Sequence, residues 1–90
     1  MKITTSAKKA EEIRKRWDRA AAVVMNATRR HNDTSQQELA DRLGWSRNMI
    51  ANLESGRRAV RFGDLIMVAK ALEIEPQTLV GRIMQWESQD

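Results

Sequence analysis

The amino-acid sequence predicts an all-α protein of five helices, of which the first is lengthened at its N-terminus. Apolar residues recur at intervals of three and four along most of the chain, which is the period of an α-helix. The chain has one proline, four glycines and few runs of β-branched residues, so little interrupts helices or favours strands. Its 90 residues suffice for one small domain with a helical core.

The first predicted helix is unusually long. Its apolar stripe runs from about Ser6 to His31 and consists of Ala10, Ile13, Trp17, Ala20, Ala21, Val24 and Thr28. The segment Ser6–Asp18 either prolongs this helix or forms a separate helix that is broken near Asp18. We therefore divide the chain into a basic extension, residues 1–18, and a domain, residues 19–90, and expect Trp17 to be packed against the domain.

The next two helices are predicted at Ser35–Leu43 and Ser46–Glu54, after a loop at Asn32–Thr34. Each has apolar residues on one face; these are Leu39, Ala40 and Leu43 in the former, and Met49, Ile50 and Leu53 in the latter. Gly44 stands where a sharp turn needs positive φ, Ser46 is a good N-cap, and Gly56 fits a C-terminal left-handed position. Two short helices joined in this way predict a helix-turn-helix motif at residues 36–55.

The remaining elements follow in order. Arg57–Val60 is a basic loop, and a fourth helix is predicted from Arg61 to Leu72. The fifth helix begins at Pro76, because proline is favoured at the first position of a helix.

The stretch from Thr34 to Leu79 resembles the phage-repressor and Cro-like (Xre-type) helix-turn-helix family. The residues of the motif that carry the resemblance are Ser35, Gln36, Glu38, Leu39, Ala40, Leu43, Gly44, Ser46, Ile50, Leu53, Glu54, Gly56 and Arg58. Those that follow it are Leu65, Ala69, Leu72, Ile74, Pro76 and Leu79. The resemblance implies a compact five-helix, lambda-repressor-like domain that regulates transcription by binding a specific double-stranded DNA operator, as a repressor or Cro-like protein does.

The outward face of the second motif helix has the chemistry to read bases. Arginine can donate two hydrogen bonds to guanine, asparagine can pair with adenine, and a methyl group can contact that of thymine. We expect base contacts from Arg47, Asn48, Ala51 and Asn52. In the family, the positions that match Arg47, Asn48 and Asn52 face the bases. The alternative explanation is that these polar residues are only solvent-exposed surface residues of the helix.

Phosphate contacts are expected around the motif. The candidates are Gln36, Ser46, Ser55, Arg57, Arg58 and Arg61. Gln36 begins a helix whose free N–H groups favour an anion, and the family's glutamine here commonly grips the DNA backbone. Ser46 is also explained by capping alone. The basic segments flank the motif, since residues 1–34 carry nine Lys or Arg against four acids and residues 57–70 carry four against one.

The resemblance also implies an ion pair between Arg29 and Glu54, as a structural clamp between helices. Two independent surface charges are the alternative.

The N-terminal extension could add phosphate affinity through its basic residues while Ile13 and Trp17 anchor it, or it could be a dimer or partner surface. Those basic residues are Lys8, Lys9, Arg14, Lys15 and Arg16.

The last helix predicts a homodimer that forms at least on DNA. One recognition helix reads too few base pairs to select a single genomic site, whereas two would read half-sites about 34 Å apart. The expected interface consists of Leu79, Val80, Ile83, Met84 and Trp86.

Other functions are less well supported by the sequence. Cysteine is absent and the single histidine, His31, has no cluster of Asp or Glu at ligand spacing around it, so we expect no disulfide, metal or cofactor. No nucleophile–base pair or phosphate-binding glycine loop is present, so we expect no enzyme. Without a membrane-length apolar run or signal peptide, we expect a cytoplasmic protein of a prokaryotic or phage-infected cell.

Two functions remain as alternatives to a repressor or Cro-like regulator. One is an antitoxin that represses its own operon while holding a toxin, and the other is an RNA-binding or protein-interaction adaptor.

Overall fold

A computed structural model describes residues 6–89 as five α-helices joined by short loops. The helices are α1 (Ala7–His31), α2 (Gln36–Leu43), α3 (Arg47–Ser55), α4 (Phe62–Ala71) and α5 (Pro76–Ser88). No strand occurs within these described residues. The predicted all-α class and the order of five helices are confirmed, and the predicted helix ends differ from the observed ends by at most one residue.

The N-terminal extension and the first helix of the domain form one continuous helix. The hydroxyl of Ser6 caps α1 by accepting a hydrogen bond from the Lys9 backbone N–H at 3.2 Å. The helix then passes through Asp18 without a break. The extension therefore prolongs the helix, and the expected division between residues 18 and 19 falls inside α1. Residues 1–5 of the expected extension lie outside the described residues.

The apolar core consists of two clusters of buried residues. The first lies beneath the motif and contains Met25, Leu39, Ala40, Ile50, Leu53, Val68 and Leu72. The second joins α1 to α4 and α5 and contains Ala20, Ala21, Val24, Ala69, Leu79 and Ile83. Because α1 contributes two alanines here, α5 can pack closely against it.

The N-terminal part of the α1 stripe is less buried than predicted. Ala10 is exposed and Trp17 retains 36% of its accessible surface, so Trp17 is only partly packed. Trp17 lines an open groove with Val80 and Met84 of α5, so its side chain keeps contact with solvent. The last turn of α5 contacts α1 one residue earlier, where the Arg16 guanidinium donates to the Glu87 carboxylate at 2.5 Å.

The expected dimer surface on α5 also needs correction. Leu79 is fully buried and Ile83 is 5% exposed, because both pack into the second core cluster. They stabilise the domain itself and are unavailable to a second copy. Val80 is half-buried and Met84 is 56% exposed, whereas Trp86 is half-buried against the core.

Candidate nucleic-acid interface

The turn between the motif helices has the geometry that the sequence predicts. Gly44 adopts φ +69° after α2, a conformation that costs glycine little and other residues more. Ser46 then caps α3, with its hydroxyl accepting a hydrogen bond from the Met49 N–H at 3.1 Å. Gly56 follows α3 at φ +81°. These local signals fix where α3 begins and ends, and therefore which of its residues face outward.

One face of α3 is buried and the opposite face is accessible. Ile50 and Leu53 have at most 1% of their surface exposed and hold α3 against the core. At 100° per residue, the five residues of α3 that are expected to contact DNA fall within an arc of about 140° on the opposite side of the helix. In this arc Arg47, Asn48 and Ser55 are exposed, and Ala51 and Asn52 are half-buried. The four predicted base-reading residues therefore share one accessible face.

The carboxylate of Glu54 lies at the centre of a hydrogen-bond network between α1, α2 and α3. Arg29 donates to it from Nε at 2.7 Å and from Nη2 at 3.0 Å. Asn26 and Gln36 donate their side-chain N–H groups to Oε1 at 2.8 and 3.0 Å. The side chains of Arg29 and Glu54 are only 9% and 4% exposed. The structure thus brings the predicted ion pair together as a largely buried clamp.

This network also sets the start of α2. Arg29 Nη1 donates to the backbone carbonyl of Thr34 at 2.7 Å, which fixes the loop before α2. Gln36, predicted as a phosphate contact, has one amide hydrogen engaged by Glu54 and keeps its carbonyl oxygen and second hydrogen for another partner. Our sequence reasoning missed Asn26 and Thr34. Only the position of Asn26 one turn before Arg29 could have suggested its part.

The network predicts a pH dependence of stability. Burial by itself would raise the pKa of Glu54, but hydrogen bonds from Arg29, Gln36 and Asn26 outweigh burial and hold that pKa below its ordinary value of 4.5. A lowered folded-state pKa means that the stabilisation is present above the unfolded-state pKa and is lost as the pH falls through the folded-state pKa. Urea unfolding from about pH 7 to about pH 3 should therefore give a flatter stability profile for Glu54→Gln than for the parent. Parallel profiles would contradict this prediction.

The phosphate candidates at the end of α3 and after it lie on exposed positions. Ser55, Arg57, Arg58 and Arg61 are all exposed. The Arg58 N–H donates to the Asn52 carbonyl at 3.1 Å, which folds the loop back on the end of α3. The Arg61 N–H donates to the Asp64 carboxylate at 3.1 Å and so begins α4. Four of the six phosphate candidates therefore lie in one exposed segment of the chain, next to the outward face of α3.

Within residues 6–89, no group of three or more His, Asp or Glu side chains is arranged to hold a metal ion. None of the described helices has both the length and the apolar character that crossing a membrane requires.

The short turn, the outward polar face of α3 and the five-helix core define a helix-turn-helix protein. The sequence profile of the helix-turn-helix family matches residues 26–79, which is more than half of the chain. The chain therefore belongs to the helix-turn-helix family and is a DNA-binding transcriptional regulator. This confirms the resemblance and the general function inferred from the sequence.

Two solved structures share the fold. A mutant of the restriction-modification controller protein C.Esp1396I superposes with a TM-score of 0.75 at 17% identity, covering 80% of this chain and 96% of that chain. The clp gene regulator ClgR from C. glutamicum superposes with a TM-score of 0.72 at 22% identity, covering 77% of this chain and 90% of that chain. No curated protein sequence is a significant match.

Proposed function

We propose that the protein recognises a specific operator by placing α3 in the major groove of duplex DNA and regulates transcription by occupying that site, as a repressor or Cro-like protein does. The observation that carries the proposal is the outward face of α3. It combines one guanidinium, two amides and a methyl group, and these are the groups that discriminate base edges in the major groove.

The surroundings of α3 support the same assignment. Gln36 at the start of α2 and Arg57, Arg58 and Arg61 after α3 supply polar and cationic groups on either side of the base-reading face. Contacts of this kind fix the register of a protein on DNA without reading the base sequence of the DNA. The two proteins of similar fold are named as a controller protein and a gene regulator, which agrees with this function. We place this activity in the cytoplasm of a prokaryotic or phage-infected cell.

Selection of bound duplexes from a random pool tests the proposal. We expect one enriched motif, composed of two symmetric half-sites about one helical turn apart. A duplex RNA competitor should leave binding intact, because the deep, narrow major groove of RNA excludes a helix. Enrichment of no motif, or equal competition by RNA, would contradict sequence-specific readout of DNA.

We further propose a two-fold dimer on the operator, formed around α5 and the N-terminal part of α1. Trp17, Val80 and Met84 line a groove of about 300 Å³ whose floor includes Ile83. Trp17 and Met84 are 36% and 56% exposed. Exposed apolar side chains gathered around a groove are a common feature of protein interfaces. Trp86 lies on another groove of α5 and is left out of this interface.

Met84→Glu should weaken the dimer, because it places a charge on the apolar groove while the core remains intact. Sedimentation with a selected operator is expected to give two chains per duplex for the parent and a shift towards one chain for Met84→Glu. Met67→Glu is the matched control, since Met67 is also exposed at 45% but does not line this groove. A parent complex with one chain on a non-palindromic site, unchanged by Met84→Glu, would contradict the dimer.

A further inference from the structure

A third groove lies between α1 and the end of α3. It has a volume of about 530 Å³. Its walls are formed by Lys15, Asp18, Arg19, Ala22 and Val23 of α1 and by Glu54, Ser55 and Gly56 at the end of α3. The five α1 residues precede residue 26, where the family profile begins to match. The groove therefore joins a part of this chain outside the family match to the proposed DNA interface.

The charges around this groove favour an anion. The Glu54 carboxylate is already paired with Arg29, so it contributes little uncompensated negative charge. Lys15 and Arg19 then face a single further acid in the groove, Asp18. Arg57 follows Gly56 directly and is exposed, which adds another cation at the same end of α3.

The orientation of α1 places three cations on this side of the molecule, with the exposed Glu12 at the edge of the same face. At 100° per residue, Lys8, Lys15, Arg19 and Asn26 fall within an arc of about 40° around α1. Asn26 fixes the direction of this arc because it donates to Glu54 at the end of α3. With a rise of 1.5 Å per residue, the line from Lys8 to Arg19 is about 17 Å long.

Two other cations in the N-terminal part of α1 are already engaged in ion pairs. Arg14 is paired with Glu11 on α1, and Arg16 is paired with Glu87 on α5. Neither contributes to the groove beside α3. The ion pairs of the described residues thus engage Arg14, Arg16 and Arg29, while the groove-lining Lys15 and Arg19 are outside these pairs.

We propose that Lys15 and Arg19, extended by Lys8, form a second phosphate-binding surface that holds the DNA backbone beside the site read by α3. This inference rests on the proposed function, and it specifies which cations of the long first helix contact DNA. The surface adds affinity that is independent of base sequence, because phosphates are the same at every step of the duplex.

The dependence of binding on salt tests this surface. Affinity of the full chain is measured over a series of salt concentrations, on a selected duplex and on a random duplex. The double variant Lys15→Gln/Arg19→Gln should make the negative slope of log K against log salt shallower by about 1.8, which is about 0.9 for each lost phosphate contact. The preference for the selected duplex over the random duplex should remain unchanged. Arg14→Gln/Arg16→Gln is the matched control, with the same loss of charge, and should keep the parent slope.

Two outcomes would overturn the proposal. One is a Lys15→Gln/Arg19→Gln slope equal to that of the parent. The other is an equal reduction in both double variants, which would mean that only the net charge of the segment matters. The random duplex keeps this test separate from operator recognition. Failure of the proposed function would abolish the parent's preference for the selected duplex, whereas failure of this surface would leave that preference intact and the slopes equal.

Discussion

Replacing Glu54 by alanine is expected to lower the free energy of unfolding by about 3–5 kcal/mol, because it leaves the guanidinium of Arg29 buried without a charge partner. The side chain of Arg29 is only 9% exposed, so water replaces the lost carboxylate only in part. The amide groups of Asn26 and Gln36 would lose an acceptor at the same time. Chemical denaturation monitored by far-UV circular dichroism measures the change.

Two controls identify the cause of this loss. Glu11→Ala removes a carboxylate from an exposed ion pair with Arg14 and should change stability little, because water screens and replaces such a pair. The double variant Arg29→Ala/Glu54→Ala should cost clearly less than the sum of the two single variants, since neither charge is then left alone. A loss below about 1 kcal/mol for Glu54→Ala would contradict the role of the pair as a buried clamp.

The second large effect concerns base discrimination. Arg47→Ala and Asn52→Ala should each lose about 1–3 kcal/mol of preference at particular base pairs of the selected operator. The reason is that each truncation removes a side chain that can form two hydrogen bonds to one base edge. Competition between the selected duplex and duplexes with single base-pair changes measures this preference.

Arg58→Ala provides the comparison, because its exposed guanidinium follows α3 in the loop that we assign to phosphate. It should weaken binding to selected and random duplexes alike. If Arg47→Ala also weakened both equally, Arg47 would be a backbone contact and the proposed reading of bases by this residue would be wrong.

The sequence determined the helices and the turn of the motif because their signals are local. Gly44, Ser46 and Gly56 each act within one turn of their own position, through positive φ or through an N-cap bond. The spacing of Ile50 and Leu53 set the buried face of α3, and so the outward face that carries Arg47 and Asn52. The family resemblance added the pairing of Arg29 with Glu54, which no local pattern could supply.

Tertiary structure decided everything that depends on what packs against a residue. Leu79, Ile83 and Met84 share one apolar pattern, yet the first two are in the core and the third is exposed, because α1 covers only one side of α5. Trp17 lies on the α1 stripe but borders an open groove beside α5, so it stays 36% exposed. Helix periodicity specifies a face of each helix. Burial, hydrogen-bond partners and the placement of Lys15 and Ser55 around one groove depend instead on helices that are distant in sequence.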